Sequence, residues 1–294
     1  MARVSVQEVA CRSALNRVRG MPFKWSLNPY RGCAHGCHYC YARATHRYLN
    51  LDSGAGFSAA LLAKINIAEV LRRELSARAW RHESISLGTA TDPYQPIEGR
   101  YRLSRACLRA AYDFRTPVSI VTKGTLVLRD ADVLEALAAR GHATVCVSVP
   151  TVDRVAARLT EPGTPSPAQR LRVVERLVAR GIHAGVMMAP LLPGITADEA
   201  HVAATVQAAA EHGARLLWTG LLHLDAEVRL HYLAFLRARF PELLDGYARL
   251  YRGKYAPAVY AERVVERTHR HKAMHGLGER YAAPREEPHQ LALL

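Results

Sequence analysis

Apolar residues recur along the chain in two alternating patterns, short continuous runs and longer stretches at helical spacing. The runs are Ser84–Thr89 (SISLGT), Val118–Thr122 (VSIVT), Ala143–Val149 (ATVCVSV), His183–Met188 (HAGVMM) and Arg215–Leu221 (RLLWTGL). Each is bounded by turn residues and is too short for a helix, which predicts buried strands. Between them, helix period is found over Ala68–Ala77, with Leu71 and Leu75 on one face, and from Ser104, read as a cap, through Phe114. It returns over Asp130–Arg140, Pro167–Arg180, Ala197–His212 and Ala226–Arg239. Phe23–Tyr30 adds a first strand, Ala42–Tyr48 a short helix and Lys64–Ile67 an extended piece.

Strand–helix alternation of this kind predicts an α/β protein whose parallel sheet is covered by helices. About six units are too few to close an eight-stranded barrel. Residues 1–22 read as an irregular basic lead-in and 23–242 as the α/β body. Residues 243–275 read as a helical, basic C-terminal extension, and 276–294, with Pro284 and Pro288, as a tail expected to be mobile.

Composition adds a compartment and a charge. No run approaches the roughly 18 consecutive apolar residues of a membrane span, and MARVSVQEVACRS lacks the apolar core of a signal peptide. A cytoplasmic protein with reduced thiols and no membrane partner is expected. The formal net charge is +14 and uneven: the first 50 residues carry eight Lys/Arg against the single acid Glu8, and residues 246–294 carry nine against five. Basic ends suggest an anionic partner such as nucleic acid. Five lysines beside thirty-five arginines leave open that the charge reflects a compositional bias.

The candidate chemistry lies in Trp25–Tyr41, WSLNPYRGCAHGCHYCY. Cys33, Cys37 and Cys40 stand at C-x₃-C-x₂-C spacing in a turn-rich loop, with Gly32 and Gly36 giving backbone freedom. Three thiolates suit a [4Fe–4S] cluster with one iron left open, the arrangement of a catalytic centre. The alternative is zinc, with His35 or His38 completing a Cys₃His site, although no second CxxC or His pair at finger spacing follows. Cys11, Cys107 and Cys146 share no spacing. Cys146 reads as a core residue or a redox thiol.

The spacing, with Tyr39 before the last cysteine, resembles the cluster loop of the radical S-adenosylmethionine (radical SAM) superfamily. NPYRGCxxGCxYCYAR and later pieces over about residues 22–250 resemble its spore photoproduct lyase-related, SplB-like and Rv2578c-like branch. The resemblance implies a partial (β/α)₆ TIM-like barrel with the cluster at the C-terminal strand ends. It implies that Cys33, Cys37 and Cys40 hold the [4Fe–4S] cluster and that S-adenosylmethionine (SAM) chelates the open iron. Tyr39 is then expected near the adenine and Tyr41 beside the cluster. Thr91 and Asp92 are expected to reach the SAM amino group or ribose, Lys123 its carboxylate, Ser148 its ribose or methionine moiety, and Arg170 a carboxylate or Glu161. Met187, Met188 and Pro190 end the fifth strand, where residues often flank adenine in the superfamily; the methionines also read as core filling. The lyases of this branch carry a hydrogen-returning cysteine near the Ser/Thr-Asp segment. Here the positions are Gly88, Thr89 and Ala90, so the resemblance carries the cofactor chemistry but not the lyase reaction.

The expected activity is reductive cleavage of SAM to a 5′-deoxyadenosyl radical that takes hydrogen from a substrate, with flavodoxin or ferredoxin as electron donor. Nucleic acid is the first substrate class, read from the basic ends and from Tyr247, Tyr251, Tyr255 and Tyr260, which stack bases or pack between helices. A small molecule or peptide is the second class, and a zinc-bearing nucleic-acid-binding module is the non-enzymatic rival.

Overall fold

Runs such as VSIVT and ATVCVS leave no position exposed, burying one face and half-burying or burying the other, as central strands of a helix-covered parallel sheet do. In the computed structural model, which describes residues 4–49 and 52–277, they lie at the middle of the main sheet. The strands are β1 Ser5–Val9, β2 Leu15–Arg17, β3 Trp25–Leu27, β4 Tyr30–Arg31, β5 Ala60–Lys64, β6 Ile85–Leu87, β7 Val118–Thr122, β8 Ala143–Ser148, β9 His183–Leu191 and β10 Leu217–Leu221.

The main sheet has the order β10-β9-β8-β7-β6-β3-β2. Every pair from β3 to β10 is parallel, and β2 joins antiparallel at the edge. Among the described residues, six parallel strands therefore follow one another in chain order with helices between them, an open (β/α)₆ arrangement. The chain is an α/β protein with a mostly parallel sheet.

The covering helices carry the expected apolar stripes. Ile67–Leu75 buries Ile67, Val70, Leu71 and Leu75. Pro167–Ala179 starts with a reciprocal capping box between Ser166 and Gln169 and buries Leu171, Val173, Val174 and Leu177. Each such side chain contributes about 1.5–3 kcal/mol when fully buried. A second apolar cluster forms around the cysteine loop, where Cys37 and Tyr39 pack with Leu192, Leu222, Tyr232, Phe235, Tyr247 and Tyr251. The helices Ala226–Arg239 and Leu244–Leu250 supply much of it. The last helix, Ala258–Met274, lies against the helix Glu199–Glu211 and β10.

Several expectations are corrected. The lead-in is not irregular: β1 pairs in parallel with β5, and β5 with β4, in a separate three-stranded sheet. Phe23–Tyr30 is not one strand but β3 followed by a crossing into that sheet at β4. The extended piece lies earlier, at Ala60–Lys64. Ser104 caps nothing; Arg102 precedes that helix in the left-handed region, and the Ser104 hydroxyl donates to the Pro93 carbonyl. A helix at Arg154–Thr160 lacks a strong apolar stripe and was not legible; Asp153 caps it by accepting from the Val155 and Ala156 amides. The expected tail lies outside the described residues beyond 277. No helix among the described residues is long and apolar enough to cross a membrane.

Candidate active site

The ends of β6 to β10 and the cysteine loop that follows β4 line one cavity at the C-terminal edge of the parallel sheet, the functional end of such sheets. The cavity measures about 380 Å³, and its wall includes Cys33, Cys37 and Cys40 together with Tyr39, Tyr41, Thr91, Asp92, Lys123 and Ser148. Met187 and Pro190 line it too, whereas Met188 is buried in the main core.

The cysteine loop is held by its backbone. Gly32 and Gly36 have φ of +72° and +63°, and a Cβ on Gly32 would lie 2.9 Å from the carbonyls of Ala60 and Phe57. Cys33 N–H donates to the Phe57 carbonyl at 3.0 Å, and His38 N–H to the Thr160 carbonyl at 3.0 Å. The buried Arg43 guanidinium grips four carbonyls: Gly36 at 2.9 Å, Cys37 at 2.9 Å, Ser53 at 3.1 Å and Gly54 at 2.6 Å. Its planar fork suits such a clamp. Gln95, which no spacing rule singles out, donates to the Gly32 carbonyl at 3.1 Å and accepts from the Ala34 amide at 2.9 Å.

Thr91 and Asp92 serve this architecture. The Thr91 hydroxyl donates to the Gly32 carbonyl at 2.6 Å and accepts from Gln95 at 2.9 Å. Asp92 accepts from the Thr122 hydroxyl at 2.6 Å, the Tyr94 amide at 2.9 Å and the Lys123 amide at 2.7 Å. Its other neighbour is His35 Nδ1 at 3.2 Å. Burial opposes ionisation of Asp92, but His35 and these donors outweigh it and hold the carboxyl down to about 2.

Behind the cavity wall stands a buried ionic group. Glu161 is paired with Arg170 at 2.6 Å, lies 3.6 Å from Lys123 Nζ and accepts from the Tyr39 hydroxyl. Lys123 donates to the Ser148 hydroxyl at 2.9 Å. Burial works against the ammonium, yet Glu161 and the Cys37 sulfur outweigh it and raise its pKa. Arg170 is fully buried, outside the cavity wall, and donates to the Ser148 carbonyl at 2.8 Å. The structure thus brings the expected site residues to the cavity wall except Met188, which is core, and Arg170, which takes the second of its two expected partners, Glu161, and props the end of β8.

Burial raises the Cys37 thiol to about 12 and pushes Cys33 and Cys40 up as well. Such thiols stay protonated until a metal displaces the proton. Among the described residues, no three His, Cys, Asp or Glu groups converge on a single-ion site. The two histidines proposed as zinc ligands are otherwise engaged, His35 with Asp92 and His38 with His231 at 3.2 Å. Three cysteines on one cavity wall, with both histidines engaged elsewhere, fit a cluster whose thiolates each bind a different iron. Cys146 does not reach the cavity wall. Burial raises it to about 12.

The mouth carries rings. Tyr41, half exposed, donates to the Thr89 carbonyl and lies 5.8 Å from the His223 ring, which lies 5.9 Å from Tyr255. Lys254 Nζ sits 5.4 Å from the Tyr255 ring. Of the four tyrosines singled out, Tyr247 and Tyr251 are buried and bonded to the carbonyls of Pro193 and Leu222, and Tyr260 packs on the main core. Tyr255 alone among them is exposed.

A sheet of six strand–helix units with three cysteines at its functional end defines a class. The chain belongs to the radical SAM superfamily, whose profile matches residues 27–206, and it is an enzyme of that class. Within it, the chain is 40% identical over 268 residues to the uncharacterized protein Rv2578c of Mycobacterium tuberculosis, covering 90% of this chain and 79% of that one. The same values hold for the uncharacterized protein Mb2609c of Mycobacterium bovis. The fold is similar to that of a spore photoproduct lyase mutant with bound AdoMet and dinucleoside spore photoproduct. That superposition gives a TM-score of 0.70 at 16% identity, over 92% of this chain and 79% of that one.

Proposed function

We propose that Cys33, Cys37 and Cys40 hold a [4Fe–4S] cluster, that the adjoining cavity holds SAM, and that the substrate is a nucleic acid. When bound, the pair supplies reductive cleavage of SAM to a 5′-deoxyadenosyl radical that removes hydrogen from the substrate. One observation carries the reading: the three cysteines share a cavity wall with Tyr39, Lys123 and Ser148. The volume, about 380 Å³, lies within the roughly 300–1,000 Å³ of small-molecule sites.

The chain's own groups then have distinct tasks. Lys123 offers a fixed positive charge to the SAM carboxylate, kept ionised by Glu161. Ser148 accepts from Lys123 and donates to the Ala189 carbonyl at 3.4 Å, so it holds the Lys123 ammonium and the ends of β8 and β9 in place beside the SAM site. Tyr39 presents a ring pinned through Glu161, and Tyr41 shields the cluster side of the mouth. Thr91 and Asp92 act on SAM by position, fixing Gly32 and the Lys123 amide. Buried walls exclude water.

Nucleic acid is favoured by the ring series Tyr41, His223 and Tyr255 at the mouth, with Lys254 beside it, because planar bases stack on such surfaces. The only cysteines on the described cavity wall are the cluster three, so a photoproduct lyase reaction relying on a further thiol is not proposed. The setting is the cytoplasm, where thiols stay reduced, and the electron comes from flavodoxin or ferredoxin.

The test is anaerobic reconstitution with iron and sulfide, then dithionite and SAM, with 5′-deoxyadenosine measured by chromatography. The nucleoside is expected from the parent protein and not from Cys37→Ala. A colourless protein holding one zinc, or a brown one that makes no nucleoside, overturns the reading.

A further inference from the structure

The helix Arg154–Thr160 stands between two recesses. Just past its end, Glu161 pairs with Lys123 on the side of the active-site cavity. On its outer face, Arg154, Val155, Arg158 and Leu159 line a separate groove of about 670 Å³, completed by His38, Pro162 and Arg239. Groove and cavity share no lining residue. Yet His38 lies in the cysteine loop between Cys37 and Tyr39, both on the cavity wall, and its amide is tied to the Thr160 carbonyl at 3.0 Å. The groove therefore reaches the cysteine loop by a route that does not pass through the cavity.

Its charge is uncompensated. Arg154, Arg158 and Arg239 are exposed, and none forms an ion pair among the described residues. Some other surface arginines are matched, Arg72 with Asp113, Arg105 with Asp132 and Arg180 with Glu135, whereas here three unpaired ones line a single groove. The adjacent carboxylate, Asp153, is committed to the Val155 and Ala156 amides at 2.7 and 2.8 Å. Between the arginines sits Val155, an apolar side chain 68% exposed. An apolar centre with arginines around it is the anatomy of a protein interface. The lining has no Phe, Tyr or Trp, and its one ring, His38, is already stacked on Phe235 with centroids 4.2 Å apart.

We propose that this groove is the docking face for an acidic one-electron donor protein, a reduced flavin or iron–sulfur carrier. The inference rests on the cluster assignment made above. With SAM and substrate filling the cavity mouth, a donor must approach the cysteine loop from elsewhere, and the groove is that approach. Per turnover the donor is oxidised by one electron, which enters at the cluster and is consumed when the sulfonium C–S bond breaks and methionine leaves.

The experiment titrates reconstituted holoenzyme with a bacterial flavodoxin and with a [2Fe–2S] ferredoxin by calorimetry, at low and raised salt. It compares the parent with R154E/R158E/R239E and with the milder R158Q/R239Q, each checked for fold by circular dichroism. The expected result is a complex with at least one carrier that weakens as salt rises, loses about tenfold or more in affinity in the charge-reversed protein, and loses less in the milder one. Carrier-driven 5′-deoxyadenosine formation falls in parallel, while dithionite-driven formation, which needs no docking, stays at the parent level. Unchanged affinity for both carriers in the charge-reversed protein overturns the proposal. So does loss of binding to a fluorescein-labelled oligonucleotide with carrier binding intact. Absence of dithionite-driven product in the parent strikes instead at the proposed function, and the calorimetric comparison still decides the docking face.

Discussion

The Lys123 ammonium donates to the Ser148 hydroxyl at 2.9 Å, joining the C-terminal ends of two neighbouring strands across the cavity wall. The contact fixes a buried positive charge where the proposed SAM carboxylate lies. Lys123→Met keeps the stem and removes the charge. A hydrogen bond to a charged group contributes about 1.5–3 kcal/mol, so SAM affinity is expected to fall about tenfold to a hundredfold. Equilibrium dialysis of reconstituted protein with labelled SAM measures it; unchanged affinity refutes the role.

Arg170 is expected to act on stability rather than on SAM. It is fully buried against Glu161 at 2.6 Å. Arg170→Met leaves a buried carboxylate short of a counter-charge, at about 3–5 kcal/mol. The double substitution Arg170→Met with Glu161→Gln is expected to recover part of that loss. Urea unfolding of the metal-free proteins supplies both numbers, and a cost that the second substitution does not reduce speaks against the pairing.

Asp92 sets an acid limit. Its folded-state pKa is lowered from 3.8 to about 2. A depressed carboxyl contributes stability that is present above its unfolded pKa and lost as pH falls through the folded one. The contribution, about 2 kcal/mol, is therefore lost between about pH 4 and 2. Asp92→Asn is expected to flatten that part of the stability curve of the metal-free protein, which denaturant titration at several pH values resolves.

Gly163 is expected to admit no side chain. A Cβ there would sit 2.5 Å from the Ala34 carbonyl and 2.9 Å from that of His35, and backbone cannot swing aside as a long side chain does. Gly163→Ala should displace the cysteine loop and lower iron per chain on reconstitution, with the far-UV spectrum unchanged. Full iron loading counts against a tight loop seat.

How much was legible in the sequence follows from what each feature depends on. Apolar runs with turn residues around them are local, so β7 and β8 were found to within a residue, and Ala226–Arg239 to its ends. β1 and β2 are short, mostly exposed and stabilised by pairing with distant strands, which no local pattern carries. The cysteines were legible because three thiols at close spacing have few uses. Arg43 and Gln95 were not, because their work is done on main-chain carbonyls and amides, which leave no trace in residue identity. Pairing with Glu161 was one of two roles the sequence offers Arg170, and the structure has it; what the sequence does not carry is that the pair is fully buried behind the cavity wall.

The grip on the cysteine loop has an evolutionary side. Arg43, Gln95, Phe57, Thr160 and Gly163 all hold it through peptide groups: the carbonyls of Gly32, His35, Gly36 and Cys37 and the amides of Cys33, Ala34 and His38. Such a hold is indifferent to the side chains between the ligands. Ala34 is thus free to vary, whereas His38 is also held by its ring, stacked on Phe235 at 4.2 Å and bonded to His231 at 3.2 Å. The loop's sequence can change at Ala34 while the seat of the three cysteines stays as it is.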